Sequence, residues 1–286
     1  MLYLLLAIVC GATYSVFFKL FACRGVDSLQ AIAFNYLTAF ALGTAFACVS
    51  GDFVIPTGVG PWGTSVLLGA TFVGAFVLMA RSTTLTGVTL TTVASRVSLV
   101  IPVVCSFLLF PEGDSPRWWA VAVILAAMVM MFLPSGEKRE ERKLNRAVLL
   151  LYPLGVWLLF GVNNFGLKWA QSVLIAPQES AAFSAIIFLF AVMFSVVALM
   201  VRREKRGFEW GSLVGGVTLG VANFFVTWGM LRGLAEVPAS IFFPIYHTSI
   251  VALVAVVGTM AFKERLSMVQ WTGVAVAVLG LVMFFV

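Results

Sequence analysis

The sequence predicts an all-α integral membrane protein, with ten transmembrane helices arranged as two inverted five-helix repeats around a central cavity. Three observations lead there. The 286 residues are 62% hydrophobic and only 10% charged, with a mean hydropathy of +1.07, whereas soluble domains average about 25% charged and about 45–50% apolar residues. Apolar runs of about 20 residues, the length that spans a bilayer as a helix, recur along the whole chain. A motif in the first half also recurs in the second at an offset of 152 residues. A soluble fold of this length could not hide so much apolar surface, so lipid must be the solvent for most of it.

The ten segments are 2–20, 29–49, 61–80, 86–110, 116–133, 147–168, 180–201, 210–231, 238–261 and 268–286. Most breaks between them hold Gly, Pro, Asp or charge, as in "SGDFVIPTGVG", "PEGDSPR" and "PSGEKREERKLNR". The weakest break lies near "RSTTLTG", between the third and fourth segments. The start, "MLYLLLAIVCGA", lacks the basic stretch of a secretory signal and is expected to be a retained first helix. Trp62, Trp118, Trp119, Trp169, Trp210 and Trp271 fall near segment ends, as an interfacial belt places them. In the eighth segment, Gly211–Gly215 and Gly216–Gly220 have the G-x-x-x-G spacing that lets helices approach closely. Cys10, Cys23, Cys48 and Cys105 are scattered and read as small apolar residues, neither disulfides nor metal ligands.

The charged linker 135–146 divides the chain into an N-terminal repeat, 1–134, and a C-terminal repeat, 147–286. "FPEGDSPRWW" and "FKERLSMVQW" share F-x-E-x-x-S-x-x-x-W, pairing Phe110 with Phe262, Glu112 with Glu264, Ser115 with Ser267 and Trp119 with Trp271, all offset by 152. "VFFKL" and "FGLKW" echo one another at the ends of the first and sixth segments, pairing Lys19 with Lys168. Five helices per repeat is an odd number, so the second repeat enters the membrane from the opposite side, and such inverted repeats place a site near the midplane between the halves.

The net charge of +6 is distributed unevenly. The odd-numbered connections carry 14 Lys and Arg residues: Lys19, Arg24, Arg81, Lys138, Arg139, Arg142, Lys143, Arg146, Arg202, Arg203, Lys205, Arg206, Lys263 and Arg265. The even-numbered ones carry three: Arg117, Lys168 and Arg232. Basic residues collect in cytoplasmic loops, so the odd connections are expected in the cytoplasm and both termini outside. The positive balance therefore reflects topology, and nucleic acid is not an expected partner.

All twelve acidic residues lie in loops or near segment ends. That leaves no buried carboxylate to bind a proton and a cationic drug in turn. Polar residues inside the apolar segments are the cavity candidates: Tyr14, Asn35, Ser95, Arg96, Asn163, Asn164, Asn223, Tyr246, His247 and Thr248. Bonding between helices is the competing role for Asn, Ser and Thr, and packing for His247. At the offset of 152, His247 aligns with Ser95 and Thr248 with Arg96, which brings Arg96 and His247 to near-equivalent places in the two halves. Arg96 is the sharpest signal. A mid-helix arginine costs about 2.5–3.5 kcal/mol on insertion scales, and on one continuous helix neither interface is within easy reach. It is tolerable facing a wet cavity, or surrounded by groups such as Ser95, Ser98 and Tyr14.

Ten helices as five plus five, the hairpin acids Glu112 and Glu264, and the lysines closing the first and sixth segments make the chain resemble the drug/metabolite transporter superfamily, EamA-like branch. The family's frequent proline thirteen residues before the hairpin glutamate is replaced by Leu99 and Val251, with Pro102 and Pro244 elsewhere in those segments. The resemblance implies alternating access and many substrate classes. The expectation is a secondary active transporter, an exporter, of a small anionic or zwitterionic metabolite. Its substrate contacts are Arg96, Ser95, Tyr14, Asn163, Asn164, Tyr246, His247 and Thr248, because guanidinium presents a planar fork that suits carboxylate or phosphate. Partners are the small-molecule substrate and the lipid bilayer. No cofactor, metal or enzymatic activity is expected, since one histidine without a mid-membrane acid or lysine makes too small a set. The chain is taken as able to act as a monomer in a cell membrane, the bacterial inner membrane. An anion channel, a lipid-headgroup flippase and an organic-cation exporter stay open as alternatives.

Overall fold

The computed structural model describes residues 1–50, 56–86, 88–110, 118–131, 146–202, 207–262 and 267–282. Among them the chain is helical throughout: α1 (Leu2–Arg24), α2 (Ser28–Val49), α3 (Val59–Thr86), α4 (Val88–Val97), α5 (Val100–Leu109), α6 (Trp118–Met131), α7 (Arg146–Trp169), α8 (Ser180–Val201), α9 (Trp210–Glu236), α10 (Ala239–Phe262) and α11 (Met268–Val282). Six of these, α2, α3, α7, α8, α9 and α10, are long and apolar enough to cross a bilayer, and the protein is a helical membrane protein.

The turn between α1 and α2 shows how the chain encodes its corners. Gly25 caps α1 at φ 63°, a left-handed conformation that glycine adopts without steric cost. Asp27 then caps α2, its carboxylate accepting from the amides of Leu29 and Gln30. Beyond α7 the chain leaves through a π-helical turn, Ala170–Leu174, and a short 3-10 turn, Pro177–Glu179.

Two groups of helices pack laterally. In one, α9 lies against α1 and α2, and α10 against α1. In the other, α7 lies against α3, α4 and α5, and α8 against α3. The groups meet along α2 and α8, while α6 and α11 pair at the side. In lipid there is no hydrophobic gain from burying leucine between helices, so close packing through small residues holds the bundle. The G-x-x-x-G spacing of α9 is used in this way. A Cβ on Gly216 would lie 2.6 Å from the Ala31 carbonyl, and Gly220 sits against Asn35 and Thr38. On the next seam, a Cβ on Gly43 would lie 3.1 Å from that of Ala185.

One expectation is corrected. The stretch 86–110 was expected to be a single helix, but it is broken at Ser98–Leu99 into α4 and α5. Pro102 is the reason. It has no N–H to donate to the carbonyl four residues back, which is that of Ser98, and its ring crowds that oxygen. The backbone tightens instead: the Leu99 amide donates to Arg96 O at 3.2 Å, and that of Ile101 to Ser98 O at 3.0 Å. Each ten-residue half is about 15 Å long, half a hydrocarbon core. The weak break near residue 81 also moves, because α3 continues to Thr86. Glu112, Ser115 and Glu264 of the hairpin echo lie outside the described residues.

Candidate functional site

Breaking the helix two residues after Arg96 places its guanidinium beside a gap in the bundle. Arg96 is 7% exposed and lines a small cavity of about 70 Å³. The cavity draws walls from α1, α3, α4, α7, α9 and α10. Tyr14, Ser95, Arg96, Asn163, Asn164, Tyr246 and His247, all expected from the sequence, line it together with Asn223. Two expected residues do not. Thr248 is fully buried away from the lining. Asn35 stands behind it, its carbonyl oxygen accepting from the Asn223 amide at 3.2 Å.

The polar groups form linked sets. The Tyr14 hydroxyl donates to Asn223 Oδ1 at 2.7 Å, which extends the chain to Asn35. The Arg96 side chain hydrogen-bonds Tyr246 across the boundary between the two helix groups. The Asn164 amide faces His247 Nε2 at 3.3 Å. An amide nitrogen can only donate, so Nε2 accepts and the ring proton sits on Nδ1. His247 Nδ1, Asn163 Oδ1 and Thr248 Oγ1 are buried without a hydrogen-bond partner among the described residues. Each is a group whose desolvation is uncompensated in this state, a cost of about 1–3 kcal/mol. Ser98, expected around Arg96, turns its hydroxyl to Ser95 O at 2.6 Å instead.

Sequence reasoning missed the apolar half of the lining. Phe72, Phe76 and Met79 come from α3, Phe160 from α7 and Met230 from α9. Phe76 is held edge-on to Tyr14, with ring centroids 5.9 Å apart, and stacked on Tyr36 at 5.8 Å. In a chain with 26 phenylalanines no sequence signal sets these apart. Among the described lining residues the guanidinium is the one formal charge. The arrangement therefore offers a cationic fork, neutral hydrogen-bonding groups and an aromatic wall. At about 70 Å³ it is far below the roughly 300–1,000 Å³ of sites that enclose drug-sized ligands.

Elsewhere, Lys168 lies with its ammonium 5.7 Å from the centroid of the Phe110 ring and donates to Gln171 at 3.2 Å. No group of three or more His, Cys, Asp or Glu side chains among the described residues could hold a metal ion.

No family model matches the chain. It is 27% identical over 282 residues to an uncharacterized protein of Haemophilus influenzae, covering 95% of this chain and 93% of that one. A solved crystal structure with 14% sequence identity superposes with a TM-score of 0.79, over 99% of this chain and 95% of the other. At that identity the likeness concerns the fold alone.

Proposed function

We propose that the chain is a secondary active transporter of a small anionic or zwitterionic metabolite, working by alternating access between two inverted five-segment halves, with Arg96 as the substrate anchor. The observation that carries this is the interrupted α4/α5 segment, which delivers a guanidinium to a central cavity whose opposite wall comes from α10. Discontinuous helices at a midplane site are the usual construction of secondary transporters.

The packing supports the two halves. If α4 and α5 count as one segment, advancing every segment by five turns one set of neighbours into another. The pair α1 and α9 becomes α7 and α3; α2 and α9 becomes α8 and α3; α1 and α10 becomes α7 and α4. The pairs α2 and α8, and α6 and α11, map onto themselves. The small volume of the cavity fits a site that widens when one end opens. The positive charge of Arg96, the one formal charge among the described lining residues, argues against organic cations. A lateral groove between α2 and α8 shares no lining residue with the Arg96 cavity, so it offers no support for headgroup flipping. Export is the direction we assign, from a membrane whose cytoplasmic side carries the basic connections.

The test is a thermal-stability screen of purified protein with carboxylates, phosphate esters, zwitterions and organic cations, followed by counterflow in proteoliposomes. A ligand that binds the folded form raises its melting temperature. Stabilisation and counterflow with anions or zwitterions are expected. Stabilisation by cations alone, or flux without counterflow as a channel gives, overturns the assignment.

A further inference from the structure

The α2–α8 contact, where the two helix groups meet, is built differently at its two ends. At one end the helices touch through small buried residues: Gly43, Ala47, Ala181, Ala182 and Ala185. At the other they stand apart around a groove of about 680 Å³ lined by bulky side chains such as Phe34, Val192 and Met200, with Gln30 and Arg202 at its polar end. There Arg202, just past the end of α8, donates to the carboxylate of Asp27, the cap of α2. The pair is well shielded, with side chains 19% and 6% exposed. Neighbouring bonds brace it. The Asp27 amide donates to Glu209 Oε2 at 3.0 Å, Gln30 Nε2 to Gly207 O at 2.7 Å, and Ser212 Oγ to Asp27 O at 3.2 Å. The ion pair therefore ties the α1–α2–α9–α10 group to the α3–α4–α5–α7–α8 group.

The repeat offset shows what stands at the opposite end. Advancing Asp27 by 152 reaches Glu179, which also precedes a helix, α8. Moving Arg202 back by 152 reaches Ser50, which closes α2. The acid is repeated and the cation is not. Glu179 accepts from the Ala176 amide at 2.7 Å within its own turn, and the Ser50 hydroxyl donates to Phe46 O at 2.8 Å within its own helix.

We propose that Asp27 and Arg202 form a one-sided lock, which biases the alternating-access equilibrium toward the state closed at the end that carries the basic α8–α9 connection. This rests on the two-group transport reading above. A contact made in one of two states shifts their populations by the difference in its free energy between them. In the other state the groups separate at this end and the pair must break. Among the described residues, Glu179 and Ser50 form no corresponding pair to break when the Glu179 end opens, so with the charge-based topology the resting protein is closed to the cytoplasm.

The experiment uses double electron–electron resonance on the full chain in lipid nanodiscs, in a background lacking the native cysteines. One pair of spin labels, at Arg24 and Thr84, spans the Asp27 end; a second, at Leu2 and Val173, spans the Glu179 end. Arg202→Gln and Asp27→Asn are each expected to raise the ratio of long to short distances at the Asp27 end about tenfold. The charge exchange D27R/R202D is expected to restore the short distance. Ser50→Arg, which supplies the missing cation opposite Glu179, should narrow the distribution at the Glu179 end. If Ser50→Arg narrows that end while Arg202→Gln and Asp27→Asn leave the other unchanged, the groups do move and the lock is refuted. If no variant alters either distribution, the two-group motion is absent and the alternating-access reading falls with the lock.

Discussion

Val88–Leu109 and Ala239–Phe262 each carry one proline and each present side chains to the cavity, yet the first is broken and the second continuous. The chemistry of the prolines is the same, and their position differs. Pro244 deprives the carbonyl of Ser240, beside the start of α10, where little helix lies upstream. Pro102 deprives that of Ser98, with the ten residues of α4 before it. One proline is absorbed near a helix end, where missing partners are ordinary, and the other opens a helix in its middle. The break stands next to Arg96, whereas α10 brings the neutral Tyr246 and His247. The difference teaches that the charged wall is built on interrupted backbone and the neutral wall on regular helix.

The largest expected effect comes from removing the charge that distinguishes the two walls. Arg96→Gln should abolish ligand-induced thermal stabilisation and transport while the protein still inserts and purifies. Loss of one partner of a buried charged pair costs about 2–5 kcal/mol of binding. Arg96→Lys keeps the charge, loses the planar fork, and should still weaken binding about tenfold or more. Transport by Arg96→Gln at the wild-type rate would remove the anchor from the proposal.

Next is the break itself. Pro102→Ala restores a backbone donor for Ser98 O and should let α4 and α5 fuse. Transport is expected to fall about tenfold, equivalent to about 1.4 kcal/mol, without loss of thermal stability. Pro244→Ala should change transport by less than about threefold, since its helix is already continuous. Equal effects of the two substitutions would dissolve the comparison.

The neutral wall is tested through His247. If its ring carries a coupling proton, His247→Ala should eliminate proton-driven transport and its pH dependence while sparing substrate exchange. A mutant with the wild-type pH profile assigns His247 to packing against Phe243 and Tyr246, its neighbours at 6.4 and 5.0 Å between ring centroids.

The smallest effect concerns the corner at Asp27. Burial pushes its carboxyl up, but the Arg202 hydrogen bond and charge and the Gln30 and Leu29 amides outweigh that and hold it below the ordinary aspartate value. Among the described residues Glu209, facing it from the start of α9, is the other acid nearby. A carboxylate with a depressed folded-state pKa adds stability that is present above its unfolded value, near 3.9, and is lost as the pH falls through the lower folded value. Melting temperature measured against pH should therefore decline below about pH 4 less steeply in Asp27→Asn than in wild type, with about 1 kcal/mol at stake.

The membrane class, the positions of the long apolar helices and the polar residues that line the candidate site were legible in the linear chain, because bilayer thickness imposes a length on apolar runs and lipid makes every interior polar residue conspicuous. Arg96, Tyr14, Asn163, Asn164, Tyr246 and His247 stood out for that reason, and the structure gathers them round one cavity. Pro102 was visible too, but its consequence was not, since a proline in a membrane helix can be absorbed or can open the backbone depending on what packs around it. Tertiary structure alone decided that Ser98–Leu99 is a break, that Arg96 meets Tyr246, that Thr248 turns away, and that Phe72, Phe76 and Phe160 supply part of the apolar wall. It also decided that Asp27 meets Arg202, 175 residues away. Composition and period report what each residue faces on average, lipid or protein. Which residues meet depends on how the helices cross, and the small-residue seams of Gly43, Gly216 and Gly220 set those crossings in three dimensions.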